Sequence, residues 1–349
     1  MNAQLKPDAH VHIGLNGRFR FQITKADADG NPIPGTTRDC GIEPGNLITN
    51  VGLNNIGIVS PSSANNGFYG VAVGSGTATP SPTDTTLQTQ VAITTTLYDP
   101  GNPVGNSYQI DYQSATSPRY YRFWKKWRFA AGAAAGNLTE VGVMTGSSPV
   151  NTWCRALIVD GAGNPITLTV LSDEILDVTY ELRVYIPEND VTGTIVLKGV
   201  TYDWLLRPCS IGRQTDGYIT AWPGVSLGSF QSQGPRAKLV TGLNSSGSLS
   251  AVAAAATLQP IDGHPITNQN PTSRGADSLP TPTYVSGSFQ MDTSAVWGLT
   301  VGNNAALNML TLSSGIGSFQ IWFDGDTFSK NNTEKMTFTL RVSWGNYTP

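Results

Sequence analysis

The sequence is poor in charge. Only 13% of its 349 residues are charged, and the formal net charge is −3, so long-range attraction to nucleic acid or anionic membranes is not expected. No apolar run approaches the roughly 20 residues that a membrane helix requires. The N-terminal residues lack the basic and then apolar pattern of a secretory signal. We therefore expect no nucleic-acid partner, no membrane insertion, and synthesis in a cytoplasm.

Cysteine is also scarce. Cys40, Cys154 and Cys209 are odd in number and far apart, and they form no C-x-x-C pair. This spacing fits neither a disulfide framework nor a zinc ribbon. Free thiols buried in the core are the expected state.

Histidine is too rare to support common catalytic sites. The chain has only His10, His12 and His264, which leaves no good candidate for a Ser-His-Asp or Cys-His arrangement. His10 and His12 share one face of an extended segment, but no third metal ligand lies nearby. P-loop, dinucleotide-binding and G-x-S-x-G motifs are missing. We predict no metal site, no cofactor and no nucleophilic catalysis.

Carboxylates are the remaining route to catalysis, because a glycosidase needs only two of them. Asp173 and Glu174 are neighbours on a strand and would face opposite sides. Asp324 and Asp326 lie at a turn, where Asp more often caps backbone amides. Glu140 lies within a predicted strand, and pairing with an arginine for structural reasons is expected. The sequence therefore indicates a protein that is not an enzyme.

What the chain has in abundance is turn and β-forming residues. It contains 38 glycines and 22 prolines, and 39% of its residues are hydrophobic. Turn signals recur about every ten residues, as in a sandwich or barrel. The pattern predicts an all-β protein with very little helix, made of two tandem antiparallel β-sandwich domains of jelly-roll or Ig-like type. Their predicted ranges are 1–212, with an extended N-terminal arm, and 213–349, with a long loop or arm at 259–282.

One segment of the sequence recurs. Residues 127–184 and 297–342 share the same ordered landmarks. In the two copies these are Trp127 and Trp297, Gly132 and Gly302, Asp160-Gly161 and Asp324-Gly325, and Leu182-Arg183-Val184 and Leu340-Arg341-Val342. The recurrence indicates either an internal duplication or the chance similarity of Gly- and Thr-rich β sequences.

The strongest strand signal runs from residue 119 to residue 129, where basic and aromatic residues alternate. Tyr121, Phe123, Trp127 and Phe129 point one way, toward a core. Lys125 interrupts this row and must reach the core's edge or a partner. The opposite face predicts a protein interface, because Trp and Arg are favoured there. That candidate interface comprises Arg122, Trp124, Lys126 and Arg128.

An ordered series of motifs resembles a family of tailed-bacteriophage virion proteins of the tail fibre or tail protein type. The resemblance covers about residues 18–210. It rests on NLITNVGLN from residue 46, VGSGT from residue 73, PTDTTLQ from residue 82, YRFWKKWRF from residue 121, GNLTEVGV from residue 136, CRALI from residue 154 and LDVTYELR from residue 176. It implies a non-enzymatic role in the virion and supplies no catalytic residues.

These lines converge on a structural component of a bacteriophage virion, most simply a tail fibre, tail-tip or adaptor protein. A capsid decoration or head-fibre protein is an alternative. A glycan-binding module for host adsorption is another, with Trp222, Tyr284 and Trp344 as weak stacking candidates. We expect other virion proteins as partners and a homo-oligomer, with a trimer favoured, because neighbouring copies normally cover exposed sheet edges in such parts.

Overall fold

A computed structural model of the chain describes residues 9–41, 45–57, 68–98, 108–113, 115–145, 151–185, 187–209, 214–215, 218–219, 249–253, 257–263, 274–275, 284–314, 317–323 and 326–348. Strands dominate these residues, and the one helix among them is α1 (Asn50–Gly57). The all-β prediction with very little helix is confirmed. No helix in the described ranges is long and apolar enough to cross a membrane.

The strands up to residue 185 form one group. They are β1 (Ala9–Lys25), β2 (Arg38–Asp39), β3 (Gly45–Ile48), β4 (Gly70–Gly74), β5 (Gln90–Thr94), β6 (Tyr108–Gln113), β7 (Tyr120–Phe129), β8 (Gly136–Leu138), β9 (Glu140–Thr145), β10 (Asn151–Leu157), β11 (Leu168–Val170) and β12 (Glu174–Tyr185). The order β5-β4-β9-β10-β3 makes one layer, and β1-β12-β7-β6 makes the other. We call this group the first unit.

The two layers of the first unit meet in an aromatic core. Phe68 and Trp153, from the first layer's side, pack edge-on against Tyr180 of β12, with ring centroids 5.3 and 6.1 Å away. Trp127 and Trp153 are fully buried. Inward positions alternate along β7 and β12 with less buried ones, as expected for strands with one face on a core.

The strands from residue 191 onward form a second unit. They are β13 (Val191–Leu197), β14 (Val200–Cys209), β15 (Gln214–Thr215), β16 (Tyr218–Ile219), β17 (Leu249–Ala253), β18 (Arg274–Gly275), β19 (Gln290–Trp297), β20 (Asn304–Ser314), β21 (Gly317–Trp322), β22 (Phe328–Lys330) and β23 (Met336–Asn346). One sheet has the order β13-β14-β21-β20-β17-β18, and β22 also pairs with β20. β15 pairs only with β16 among the described strands, and β19 pairs with β23.

Local patterns explain several of these elements and correct others. The alternating residues on both sides of Lys198-Gly199 predict a hairpin over 194–206. The structure confirms it, and the turn residues Lys198 and Gly199 have φ of 53° and 78°, as a two-residue turn of this type requires. The sequence also predicts a strand over 284–291, but the strand begins only at Gln290, because residues 284–289 form a turn region.

The predicted domain boundary at residue 212 does not coincide with the change in pairing partners. β14 ends at Cys209, and its residues 205–209 pair with β21. β13 pairs with β14. The change therefore falls between β12 and β13, at residues 186–190. Most of the predicted loop at 259–282 lies outside the described residues.

β1 belongs to both units. From Gly14 to Lys25 it pairs antiparallel with β12, and from Ala9 to Leu15 it pairs parallel with β23. This is the one parallel pairing among the strands that the structure describes. The first and last strands of the described chain thus join the two units into one continuous sheet.

The recurring segment has the same strand registers in both units. Trp127 on β7 lies opposite Val178, four residues before Leu182, and Trp297 on β19 lies opposite Met336, four residues before Leu340. β8 and β11 pair through Leu138 and Leu168, as β20 and β22 pair through Leu307 and Phe328.

Two backbone details extend the match. Ile158 N donates to Thr139 O at 2.8 Å, and Phe323 N donates to Asn308 O at 3.0 Å. Gly132 and Gly302 have φ of 74° and 71°. Asp324 and Gly325 lie outside the described residues. The shared registers support an internal duplication, which stays a prediction.

Candidate interface on the outer face of the first unit

β7 places its predicted interface residues on one side, away from the core. Arg122, Trp124, Lys126 and Arg128 are all partly exposed, and they alternate with buried residues. β12 and β1 contribute their own outward side chains beside this row, since β12 lies between β7 and β1. The result is a flat polar face, which we call the outer face.

Ion pairs fix one end of the outer face. Arg128 donates to both carboxylate oxygens of Asp177, at 2.7 and 2.8 Å. Its guanidinium also lies over the Tyr98 ring, 3.1 Å from the centroid. Lys126 Nζ lies 3.6 Å from Asp177 and donates to Gln22 at 2.7 Å. A bidentate Arg–carboxylate pair with a stacked ring holds the guanidinium in one orientation.

A second set of charges fixes the other end. Glu181 lies 3.6 Å from Arg122 and accepts a hydrogen bond from Arg183 at 2.5 Å. The Arg183 guanidinium lies over the Tyr120 ring, 4.4 Å from its centroid. Across the sheet, Arg20 on β1 pairs with Asp39 on β2.

The outer face carries more basic than acidic side chains, although the whole chain is acidic. Six basic residues and three carboxylates occupy these outward positions of β1, β2, β7 and β12. The basic residues are Arg18, Arg20, Arg122, Lys126, Arg128 and Arg183, and the acidic ones are Asp39, Asp177 and Glu181. Most of these cations contact carboxylates. Basic and acidic groups are therefore interspersed on the outer face, and its excess of positive charge is modest.

Trp124 lies in the middle of this pattern. It is opposite Glu181 on β12 and between Arg122 and Lys126 along β7. Its side chain is only partly buried. A large, partly exposed aromatic ring between an arginine and a lysine has the composition of a binding hot spot, where Trp and Arg are enriched.

Lys125 is not part of this face. Its side chain is 4% exposed, and its Nζ donates to the carbonyl of Phe68 at 3.2 Å. Burial lowers the pKa of Lys125 to about 8, because a low-dielectric environment disfavours the charged form. From the sequence, the Lys125 side chain was expected at the edge of the core or against a partner. In the structure it lies in the core.

Glu140 forms the predicted arginine pair, and its surroundings account for all its acceptor capacity. Arg155 Nε donates to Oε2 at 2.8 Å. The amides of Gly76, Gln88 and Thr89 donate to the same carboxylate at 2.7–3.1 Å. Glu140 is fully buried, and Arg155 is 2% exposed. This carboxylate is therefore engaged in holding the 76–89 segment and is closed to solvent.

The other candidate carboxylates and the histidines have ordinary partners. Asp173 pairs with Lys25 at 2.8 Å, and Glu174 accepts a hydrogen bond from the Leu171 amide at 2.8 Å. The rings of His10 and His12 both contact Ser343 Oγ, at 2.8 and 2.9 Å, and burial lowers the pKa of both imidazoles. Within the described ranges, no group of three or more His, Cys, Asp or Glu is placed to hold a metal.

Cys40, Cys154 and Cys209 form no disulfide in the structure. Cys154 and Cys209 are buried, and Cys40 is partly buried, as the sequence indicated for the first two. Burial raises the pKa of Cys154 to about 12, so this thiol is unreactive at neutral pH.

The rings proposed for glycan stacking join the two units instead of facing solvent together. Trp344 is 4% exposed, and its indole donates to Leu53 O in α1 at 2.8 Å. Tyr284 packs against Trp344 with centroids 5.6 Å apart, and its hydroxyl donates to Asn54 at 2.6 Å. Trp344 therefore has no free ring face on which a sugar could stack. Trp222 lies outside the described residues.

The structure contains a cavity that was not predicted from the sequence. It has a volume of about 560 Å³ and lies where β1, β12 and β23 meet, lined among others by His12, Tyr185, Glu188 and Tyr347. The Tyr185 and Tyr347 rings stack at 3.9 Å. His12, Tyr185 and Tyr347 are far apart in sequence, and no local motif links them, so no sequence signal could have found the cavity.

Comparisons with known proteins add no relative. No protein-family profile matches the sequence, and neither curated proteins nor solved structures gave a match.

Proposed function

We propose that this protein is a structural component of a bacteriophage virion, with the tail as its site, and that it assembles with other virion proteins through the outer face. The motif series over residues 18–210 supports the virion role. The observation that carries the assembly role is Trp124, a partly exposed ring that lies opposite Glu181 and between Arg122 and Lys126.

The pairing of the charges favours a protein partner over nucleic acid. Phosphate binding needs cations that are free to replace counterions. On the outer face, Arg128, Lys126 and Arg122 already contact carboxylates of β12. A patterned surface of this kind gives register and specificity to a protein contact.

Localisation on the particle tests the proposal. Gold-labelled antibody against the purified protein would be imaged on particles of the phage that encodes it. We expect label at the tail. Label around the capsid shell would contradict the tail assignment and support capsid decoration, and particles without label would contradict the virion role.

A further inference from the structure

We propose that the N-terminal half of β1, residues 9–15, is a donated strand that pairs with β23 of a neighbouring copy in the assembled protein. This inference rests on the proposed assembly role and names one contact through which copies join. The partner it requires is a second copy of this chain.

The two units have equivalent strand registers. In the first unit, the second layer consists of β6, β7, β12 and the C-terminal half of β1. In the second unit, β19 and β23 correspond to β7 and β12 by register. The place beside β23 is filled by residues 9–15, which precede the first unit's own part of β1. Among the described strands, the second unit provides none of its own for this place.

The direction of the inserted strand differs from the rest of the fold. β1 runs antiparallel to β12 but parallel to β23. If this strand were part of the repeated unit, it would run antiparallel to β23, as β1 runs antiparallel to β12. Its parallel direction therefore indicates a strand that was added from outside the unit.

Residues 9–15 suit an open sheet edge, because their alternate side chains are apolar and buried. Ala9, Val11, Ile13 and Leu15 are at most 3% exposed, while His10 and His12 are exposed on the other side. Alternating side chains in pockets, together with main-chain bonds to an open edge, define recognition by strand addition. Main-chain pairing continues beyond the strand, where Tyr347 N donates to Leu15 O at 2.6 Å.

The connections allow the strand to come from a different copy. The partner of β1 changes near Gly14, and Gly17 follows three residues later. Glycine gives the chain freedom to bend at this point. Exchange of an identical element preserves every contact, so it costs little and produces closed oligomers.

Two singly substituted chains test the exchange. His12→Cys and Ser343→Cys place thiols where the side chains now touch at 2.9 Å, outside the core. Each substitution is made in a separate full-length chain with a distinguishable tag, in a Cys40→Ser background. The two chains are expressed together and oxidised, and disulfide-linked products are separated on a non-reducing gel.

We expect a disulfide-linked heterodimer carrying both tags. His12→Cys combined with Thr333→Cys, on an exposed turn, is the control for random collision and should give none. A doubly substituted chain that links only within itself, with no heterodimer from the single variants, would overturn the exchange. Sedimentation of the same samples separates the two ideas: oligomers without the heterodimer leave the assembly role standing, whereas monomers alone contradict both.

Discussion

The two units have side chains of different polarity and charge at equivalent core positions. By register, Lys125, Glu140 and Arg155 of the first unit correspond to Ala295, Met309 and Gln320 of the second. All six side chains are at most 4% exposed. The first unit thus buries three ionisable groups where the second buries an alanine, a methionine and a neutral amide.

Arg155 and Gln320 nevertheless perform the same task. Arg155 donates to Ala78 O and to Asp84, at 2.9 and 2.8 Å, in the segment that follows β4. Gln320 accepts from Gln259 N at 2.9 Å and donates to Gln259 O at 2.6 Å, in the segment that follows β17. A polar side chain on the second strand of each hairpin therefore holds a non-strand segment. We call this side chain the clasp; its position in the fold is the same in the two units, but its charge is not.

Arg155→Gln gives the largest expected effect. It leaves the Glu140 carboxylate buried without its cation, and breaking a buried pair in this way costs about 3–5 kcal/mol of unfolding free energy. Urea denaturation followed by fluorescence measures it. The double variant Glu140→Met/Arg155→Gln removes the unpaired carboxylate but leaves the Gly76, Gln88 and Thr89 amides without their acceptor, so it should remain destabilised. An Arg155→Gln variant as stable as the wild type would show that the buried ion pair does not contribute to the stability of the first unit.

The buried Lys125 gives the next largest effect, and it depends on pH. Its folded pKa of about 8 lies below the usual lysine value of 10.5, so the unfolded chain binds more protons between these two pH values. Stability contributed by this site therefore rises as pH increases from 8 to 10.5, by roughly 3 kcal/mol in total. Unfolding of the wild type and of Lys125→Met, compared across this range, isolates the effect. A constant difference between the two proteins would contradict the lowered pKa.

Gln320→Ala tests the neutral clasp and should cost less than the charged one. It removes both bonds to the Gln259 backbone, at about 1–3 kcal/mol for buried groups left unsatisfied. Gln259→Ala is the matched control, since it keeps those main-chain bonds and alters only a partly exposed side chain. Urea titration of both variants should separate them. Equal losses of unfolding free energy in the two variants would mean that the hydrogen bonds between the Gln320 side chain and the Gln259 backbone do not stabilise the fold.

Gly132→Ala and Gly302→Ala are expected to give the smallest effects, similar in the two units. Both glycines have positive φ, where an added Cβ costs about 1–2 kcal/mol. An added Cβ would also lie 2.8 Å from Ser172 O or 2.9 Å from the Trp297 ring. Gly161→Ala, which meets no atom within 4 Å, is the control. Thermal unfolding measures the stability of each variant. If only one of the two substitutions lowered stability, the two turns would not be equivalent.

The sequence predicted the features that depend on local alternation. The strand class, the outward row on β7 and the hairpin at Lys198-Gly199 follow from periodicity and turn chemistry. The pairing of Glu140 with an arginine followed from the cost of burying a lone carboxylate.

The sequence could not predict contacts that depend on long-range topology. The parallel pairing of β1 with β23 joins residues more than 300 positions apart, and no local pattern encodes it. The same holds for Trp344, whose place against Leu53 is set by the joining of the two units. The change of pairing partners at 186–190 was missed because β13 and β14 form a local hairpin that fits either unit.

The proposed function requires that copies of this chain assemble and that the outer face forms contacts. Sedimentation equilibrium of the full-length protein and of Trp124→Glu tests this requirement most directly, because the substitution changes a partly exposed ring and leaves the core intact. We expect an integer multiple of the chain mass for the wild type, with a trimer favoured, and a lower mass for the variant. A wild type that remains a monomer at the highest concentration reached would contradict the proposed assembly.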